Sequence, residues 1–353
     1  MANFVGQLKA NEIFSTIYNM IISQRVFGDP IGSSYESLVD RARVDGSLYG
    51  DTKLFYSTDV LESYEFDPDS EEQCNVLATH RPVDPKVQAL VIDHFRQIPL
   101  TLDNYMTKRA FSTETAFADF NGVLASWLDN TKRVEDMTSY NAFIGTNKTN
   151  VGSQAQTVTL DGNKDAQKIA EKVANILTEL KDVSREWNDH GFMRAYNPDD
   201  IIVVWNADYY NSILKVDLPT IFHKEGLIDK FDEKNVLPAK YFGTLTEVDA
   251  QPSEYAGVVR AAKTITYEGK TVYGGEILTG DGTVPGGDMY TEAGDVICKI
   301  MHKDSVPYMS GFQVTTDFVN GRNLSTNMYL TYGRNSLEHI KEYPYITLTA
   351  VEG

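Results

Sequence analysis

From Phe111 to Ile144 the apolar residues Phe117, Phe120, Leu124, Trp127, Leu128, Val134, Met137, Tyr140 and Ile144 recur mostly at steps of three and four. That spacing puts most of them on one face of a helix. Ser112 or Thr113 suits an N-cap, Glu114 adds a carboxylate to the first turn, and Gly145 supplies a stop. At 1.5 Å per residue the helix would be about 45–50 Å long. A compact domain needs less, so the segment predicts a spine with other elements packed along it. Asn130-Thr131 is where it could instead divide into two helices.

The same pattern predicts an amphipathic helix over 8–24, with Ile13, Phe14, Ile17, Tyr18 and Ile21 sharing a face. Strand-like alternation follows over 41–66 around Tyr49-Gly50, then an acidic run from Asp59 to Glu72 without Lys or Arg. Val87 to Leu102 reads as a return strand, so the two limbs predict a protruding hairpin that must lie against something else. After the spine, the Gly-, Asn- and Thr-rich stretch 145–162 marks a boundary. Asp165 to Trp187 predicts a second amphipathic helix, Ile201 to Trp205 a buried strand, Tyr209 to Val216 a helix and Leu237 to Val248 a strand. From Thr264 onward strands alternate with turn signals at 267–270, 280–282, 286–288 and 292–295. The last forty residues read as mainly β, ending in Tyr345 to Val351.

Composition narrows the function. Fifty acids face 32 bases, a net charge of −18; nucleic-acid affinity comes mainly from Lys and Arg, so a dedicated DNA- or RNA-binding role is disfavoured. Cys74 and Cys298 are far apart in sequence, which excludes a disulfide framework. The N-terminus carries no targeting signal, and synthesis in a cytoplasm is expected.

The sequence offers no catalytic, cofactor-binding or metal-ligating set. Gly280-x-Gly282 with Gly286 has the wrong spacing for a dinucleotide loop and precedes strand-like residues, so it reads as a hairpin tip. No Walker loop, nucleophile elbow, H-E-x-x-H or C-x-x-C occurs. Histidines 80, 94, 190, 223, 302 and 339 are scattered singly. The abundant acids and aromatics would also suit a carbohydrate-active enzyme, though aromatics equally mark subunit contacts.

The order of elements resembles the major capsid proteins of tailed bacteriophages, the Hong Kong 97-type fold. Two stretches are similar to capsid proteins of short-tailed phages of the phi-29 type: Leu102 to Ser112, and Ile201 to Asp208 with the later Tyr241 to Leu245. The resemblance implies an α+β chain divided into an N-terminal arm (1–40), an extended loop (41–95), a peripheral domain with the spine helix (96–149 and 311–353) and an axial domain (150–310). It implies a structural subunit, not an enzyme, located in the virion capsid and made in the host bacterial cytoplasm. It further implies self-assembly into pentamers and hexamers, a separate scaffolding protein, a portal protein, decoration proteins and packaged double-stranded DNA bound without sequence specificity. An encapsulin-type compartment shell is the alternative within the same fold. Interface residues expected on this basis are Phe14, Ile17 and Tyr18 on the arm and Tyr49, Lys53, Phe55, Tyr64 and Phe66 on the loop. Some relatives join an extended-loop lysine to a neighbour's asparagine, and Lys53 is the only lysine on the outgoing limb.

Overall fold

The computed structural model describes residues 37–45, 52–61, 63, 79, 81, 84–103, 114–148, 157–160, 166–214, 233–248, 253–261, 265–267, 270–272, 277–284, 287–292, 296–335 and 337–350. Helix α1 (Leu38–Arg41) leads into β1 (Arg43–Asp45), and β2 (Thr52–Ser57) forms a hairpin with β3 (Lys86–Asp103). The spine is α2 (Glu114–Gly145), followed at once by β4 (Thr146–Lys148). Next come β5 (Thr157–Leu160), α3 (Ala166–Glu179), β6 (Ile201–Asn206), α4 (Ala207–Leu214) and β7 (Val236–Leu237). Strands β8 (Gly243–Val248), β9 (Ser253–Ala261), β10 (Ile265–Tyr267), β11 (Lys270–Val272), β12 (Ile277–Val284) and β13 (Gly287–Glu292) precede the last four. Those are β14 (Val296–His302), β15 (Tyr308–Asn320), β16 (Ser325–Asn335) and β17 (Tyr345–Ala350).

Three five-stranded sheets result, ordered β1-β15-β16-β3-β2, β5-β17-β14-β6-β7 and β12-β9-β13-β8-β4. The return from Gly311 is therefore shared. β15 and β16 extend the first, long sheet, whereas β17 lies between β5 and β14 in the second.

The spine runs unbroken for 32 residues through Asn130-Thr131. The Thr131 hydroxyl donates to the Trp127 carbonyl one turn back (2.7 Å), a bond compatible with a continuing helix. In the C-terminal half of the helix the buried positions are Leu128, Lys132, Asp136, Tyr140 and Ile144, then Gly145. This is a run of four-residue steps with two charges inside it. Lys132 and Asp136 pair at 2.9 Å, and the Tyr308 hydroxyl donates to the other Asp136 oxygen at 2.6 Å. Glu135 accepts from the Tyr332 hydroxyl and pairs with Arg96, while Lys132 lies over the Tyr332 ring at 5.2 Å. Leu128 packs on Leu330, Tyr332, Ile98 and Leu100 of the long sheet. Val134, counted in the predicted apolar face, is exposed.

The end of the spine meets the second sheet. Ile202 and Val204 of β6 face Tyr140, Ile144, Phe242, Met301 and Tyr308. Ile201, Val203 and Trp205 face Ile169, Val173, Ile176, Leu177 and Leu180. Burial on both faces explains the uninterrupted apolar run of this strand. Gly145 is a requirement of close approach: a Cβ there would lie 1.9 Å from the Tyr241 carbonyl oxygen.

Several sequence expectations are corrected. The helix expected to reach Trp187 ends at Glu179, because Tyr196 N–H takes the Leu180 carbonyl and Ser184 and Arg194 exchange backbone bonds. The strand expected over 237–248 is interrupted after Leu237. Pro238 has no N–H for a ladder, and a 3-10 turn (Ala239–Tyr241) brings Phe242 into the core. Gly280 and Gly282 lie within β12, Gly280 opposite Gly257, not at a hairpin tip. The predicted N-cap at 112–113 lies outside the described residues.

Gly145→Ala is expected to destabilise the chain by about 2–3 kcal/mol or more, since its new contact is backbone; chemical denaturation of the variant checks this. A second expectation concerns Lys299, buried in β14 over the Tyr345 ring at 4.8 Å. Burial pushes its pKa from 10.5 down to about 7. A folded-state pKa below the unfolded one means stability is lost as pH falls from 10.5 towards 7. Lys299→Met is therefore expected to raise the unfolding midpoint at neutral pH, by a margin that narrows as the pH is raised; urea titrations at several pH values check it.

Candidate assembly surface

Strand parity decides which residues of the hairpin reach outward. In β2, Thr52, Leu54 and Tyr56 pair with Val91, Ala89 and Val87 of β3, so these six share one face. All six are exposed, Tyr56 at 69% and Leu54 at 50%. Val87, Ala89 and Val91, which made β3 legible as a strand, line its outer side. The opposite face turns inward, where Phe55 packs with Leu90, Ile92 and Met309 of its own chain. Farther along β3, Phe95 lies against Phe312 with centroids 5.9 Å apart.

Of the expected interface residues, Lys53 and Phe55 are both half-buried and belong to the inward parity. Phe14, Ile17, Tyr18, Tyr49, Tyr64 and Phe66 lie outside the described residues. The outward positions are Leu54 and Tyr56, whose alternation with Lys53 and Phe55 was readable. What the sequence lacked was which of the two parities meets Met309, about 250 residues away.

The far end of the hairpin is fastened to its own chain. Gln88 donates its side-chain N–H to the His339 carbonyl and accepts from Lys341 N–H, both at 2.9 Å. Glu342 holds the Ser57 hydroxyl and the Arg194 guanidinium, and Arg194 also donates to the Thr58 carbonyl. Asp59 accepts from Met193 N–H at 2.9 Å and pairs with Arg185, which in turn donates to the Gly191 carbonyl at 3.0 Å. The Met193 bond, then Arg185, holds the Asp59 pKa down at about 2. The receiving loop is itself built for this. Asn188 bridges Phe192 through both amide atoms, and Gly191 takes a φ of +67° that suits glycine.

The described histidines are engaged in packing. His302 stacks on Tyr343 at 4.1 Å, and His339 pairs with Asp189 at 2.8 Å and stacks on Tyr345. Burial, then Arg334 and Arg96, pushes His94 down to about 4. Burial raises the Cys298 thiol pKa far above its ordinary value, which leaves it a weak nucleophile. Among the described residues no group of three or more His, Cys, Asp or Glu is placed to hold a metal ion.

Asp59→Ala is expected to lower hydrogen-exchange protection of the Met193 amide at least about tenfold while leaving the global unfolding midpoint nearly unchanged. In the wild type the same loosening is expected as the pH falls from 3.8 towards 2, since the depressed carboxylate contributes only while ionised. Exchange measured by mass spectrometry reads both.

Solved structures share this fold. The capsid structure of Staphylococcus phage Andhra aligns at 12% identity with a TM-score of 0.64, covering 93% of this chain and 87% of that one. A chain from the structure of the head fiber and inner core protein gp22 of native bacteriophage P68 aligns at 13% identity with a TM-score of 0.58, covering 91% and 86%. The fold is thus the Hong Kong 97-like phage capsid fold. No curated protein matches. A hairpin with an apolar outer face, a spine between sheets and histidines engaged in packing suit a shell subunit, and the Phi29-like phage major capsid protein family matches residues 5–337, so the chain belongs to that family.

Proposed function

We propose that this major capsid protein builds its shell by laying the outer face of the extended hairpin on a neighbouring copy. The chain is a structural subunit of the icosahedral head of a tailed double-stranded DNA phage, not an enzyme. The observation that supports the contact is the contiguous stripe Leu54, Tyr56, Val87 and Val91, exposed on a hairpin whose other face is filled. Apolar side chains gathered on one exposed face mark an interaction site. The polar fastening at Asp59 and Glu342 would hold the stripe in one orientation, so that less ordering is needed on association.

Pentamers and hexamers are the proposed assembly units, with a separate scaffolding protein, a portal protein and decoration proteins as partners. Packaged DNA would be held without sequence-specific contacts, consistent with the net charge of −18. The proposed domains are the arm, the extended loop, a peripheral part around the long sheet and an axial part around the other two. β17 is counted with the axial part because it hydrogen-bonds to β14. The family match favours a phage head over an encapsulin-type compartment or a carbohydrate-active enzyme.

Electron microscopy of the full chain, alone or with its scaffold, is expected to reveal shells, tubes or capsomers; a compact monomer under all conditions would contradict the proposal. Tyr56→Asp is expected to cut particle yield about tenfold or more while the soluble subunit keeps its unfolding midpoint. Phe55→Asp, on the filled face, is expected to lose soluble protein instead, because it buries a charge without a partner. Particles of Tyr56→Asp at wild-type yield would remove the stripe from the contact.

A further inference from the structure

From Gln313 to Val319 every residue of β15 is exposed, with Phe318 at 66% and Val319 at 61%. A strand covered on one face buries alternate residues, so exposure of both parities marks a stretch that projects beyond the core. β16 pairs with one side of it. On the other side β1 pairs only from Tyr308 to Ser310, and among the described residues no strand pairs with the outer edge of 313–319.

The opposite edge of the long sheet is different. β2 covers β3 from Lys86 to Val91, and beyond it β3 carries Asp93, Arg96 and Pro99. Charges and a proline without an N–H blunt a sheet edge against further pairing. The β15 edge carries Val314, Thr315, Thr316, Phe318 and Val319, types that favour strands, with Asp317 as its single charge.

We propose that two copies of the chain join at this edge, their β15 strands pairing antiparallel about a two-fold axis at Thr316. The pairing rests on the shell reading and deepens it by naming a second contact. Thr316 is the centre of the exposed run, so an axis there pairs the run with itself from end to end. Val314 then stands opposite Phe318 twice, Gln313 opposite Val319, and Thr315 opposite Asp317. Aromatic with β-branched cross-strand pairs are stabilising, and each carboxylate meets a hydroxyl rather than a like charge. An axis at Asp317 would set two carboxylates face to face.

An axis normal to the sheet also keeps both spine helices on one side of the joined sheet. The helix side is marked by Gln313, whose side chain donates to Asp129 of the spine at 3.0 Å. A wall with an inner and an outer surface needs that arrangement. Contacts across a two-fold axis use one patch on both partners, and backbone pairing of strand edges supplies affinity without a deep pocket.

Thr316→Lys and Thr316→Glu in the full chain test this. The position is exposed, so both variants are expected to keep the wild-type unfolding midpoint. Each alone sets like charges across the axis and is expected to lower particle yield about tenfold, whereas an equimolar mixture restores it to within about twofold of wild type. If Thr316→Lys assembles at wild-type yield, or the mixture stays as poor as its components, the pairing is overturned and the wild-type shells leave the shell reading standing. If the wild type forms no particles, the shell reading is overturned and the pairing with it. Should the charged variants not fold, oxidised Thr316→Cys is expected to give disulfide-linked dimers within particles and Val319→Cys none. Absence of that bond at position 316 would overturn the pairing equally.

Discussion

Asp136 is 1% exposed, and a carboxylate so placed must have its partners supplied by the fold. Lys132 reaches it from one turn earlier in the spine, Tyr308 from the long sheet, and Arg43 from β1 at 3.7 Å. Lys132 shares the helix with Asp136, whereas Tyr308 and Arg43 come from separate parts of the chain. They can meet one carboxylate only if the helix has a single rotation and a single height on the sheet. The neighbouring Glu135, held by Tyr332 and Arg96, repeats the condition on the next strands. A purely apolar seam between a long helix and a long sheet could slide by a turn; this one cannot without taking Tyr308 and Arg43 from Asp136 and Tyr332 and Arg96 from Glu135.

With the spine so fixed, the rest of the molecule follows. Tyr140 and Ile144 are carried onto the second sheet, where the Tyr140 hydroxyl donates to the Val306 carbonyl at 2.9 Å. The Tyr345 hydroxyl reaches the last carbonyls of the helix, at Phe143 and Ile144, and its single O–H is shared between them where the helix end lacks a donor. Gly145 passes the Tyr241 carbonyl, and β4 departs directly into the third sheet. The core is thereby concentrated around the C-terminal end of the spine and both faces of β6. Among the described residues, the long sheet keeps an exposed hairpin face and a β15 edge that no strand pairs from Gln313 to Val319. A compact monomer would be expected to cover such surfaces, whereas a shell subunit offers them to its copies.

The spine, the buried strand at Ile201, the return strand from Val87 and the final β segment could be read from spacing alone, because period and length are local properties of the chain. The order of those elements was enough to bring the capsid resemblance forward. Some of the buried seam was also within reach: Lys132 and Asp136 fall on four-residue steps between Leu128 and Tyr140, at the spacing of an ion pair. The apolar pattern pointed past them to Val134, which faces solvent.

Tertiary structure decided what periodicity leaves open. Alternation identifies two faces of a strand but not which one a distant residue will cover. Met309 settled that for β2 and β3, turning Phe55 inward and Tyr56 outward. The helix that stopped at Glu179 when Ser184 met Arg194, and the strand broken at Pro238 to admit Phe242, were set by nearer neighbours that apolar spacing does not register. In sequence, then, this protein carried its elements and their order, since these depend on neighbours a few residues apart. Which side of each strand of the hairpin became core and which stayed exposed depended on contacts a hundred or more residues apart, and only the folded chain could choose.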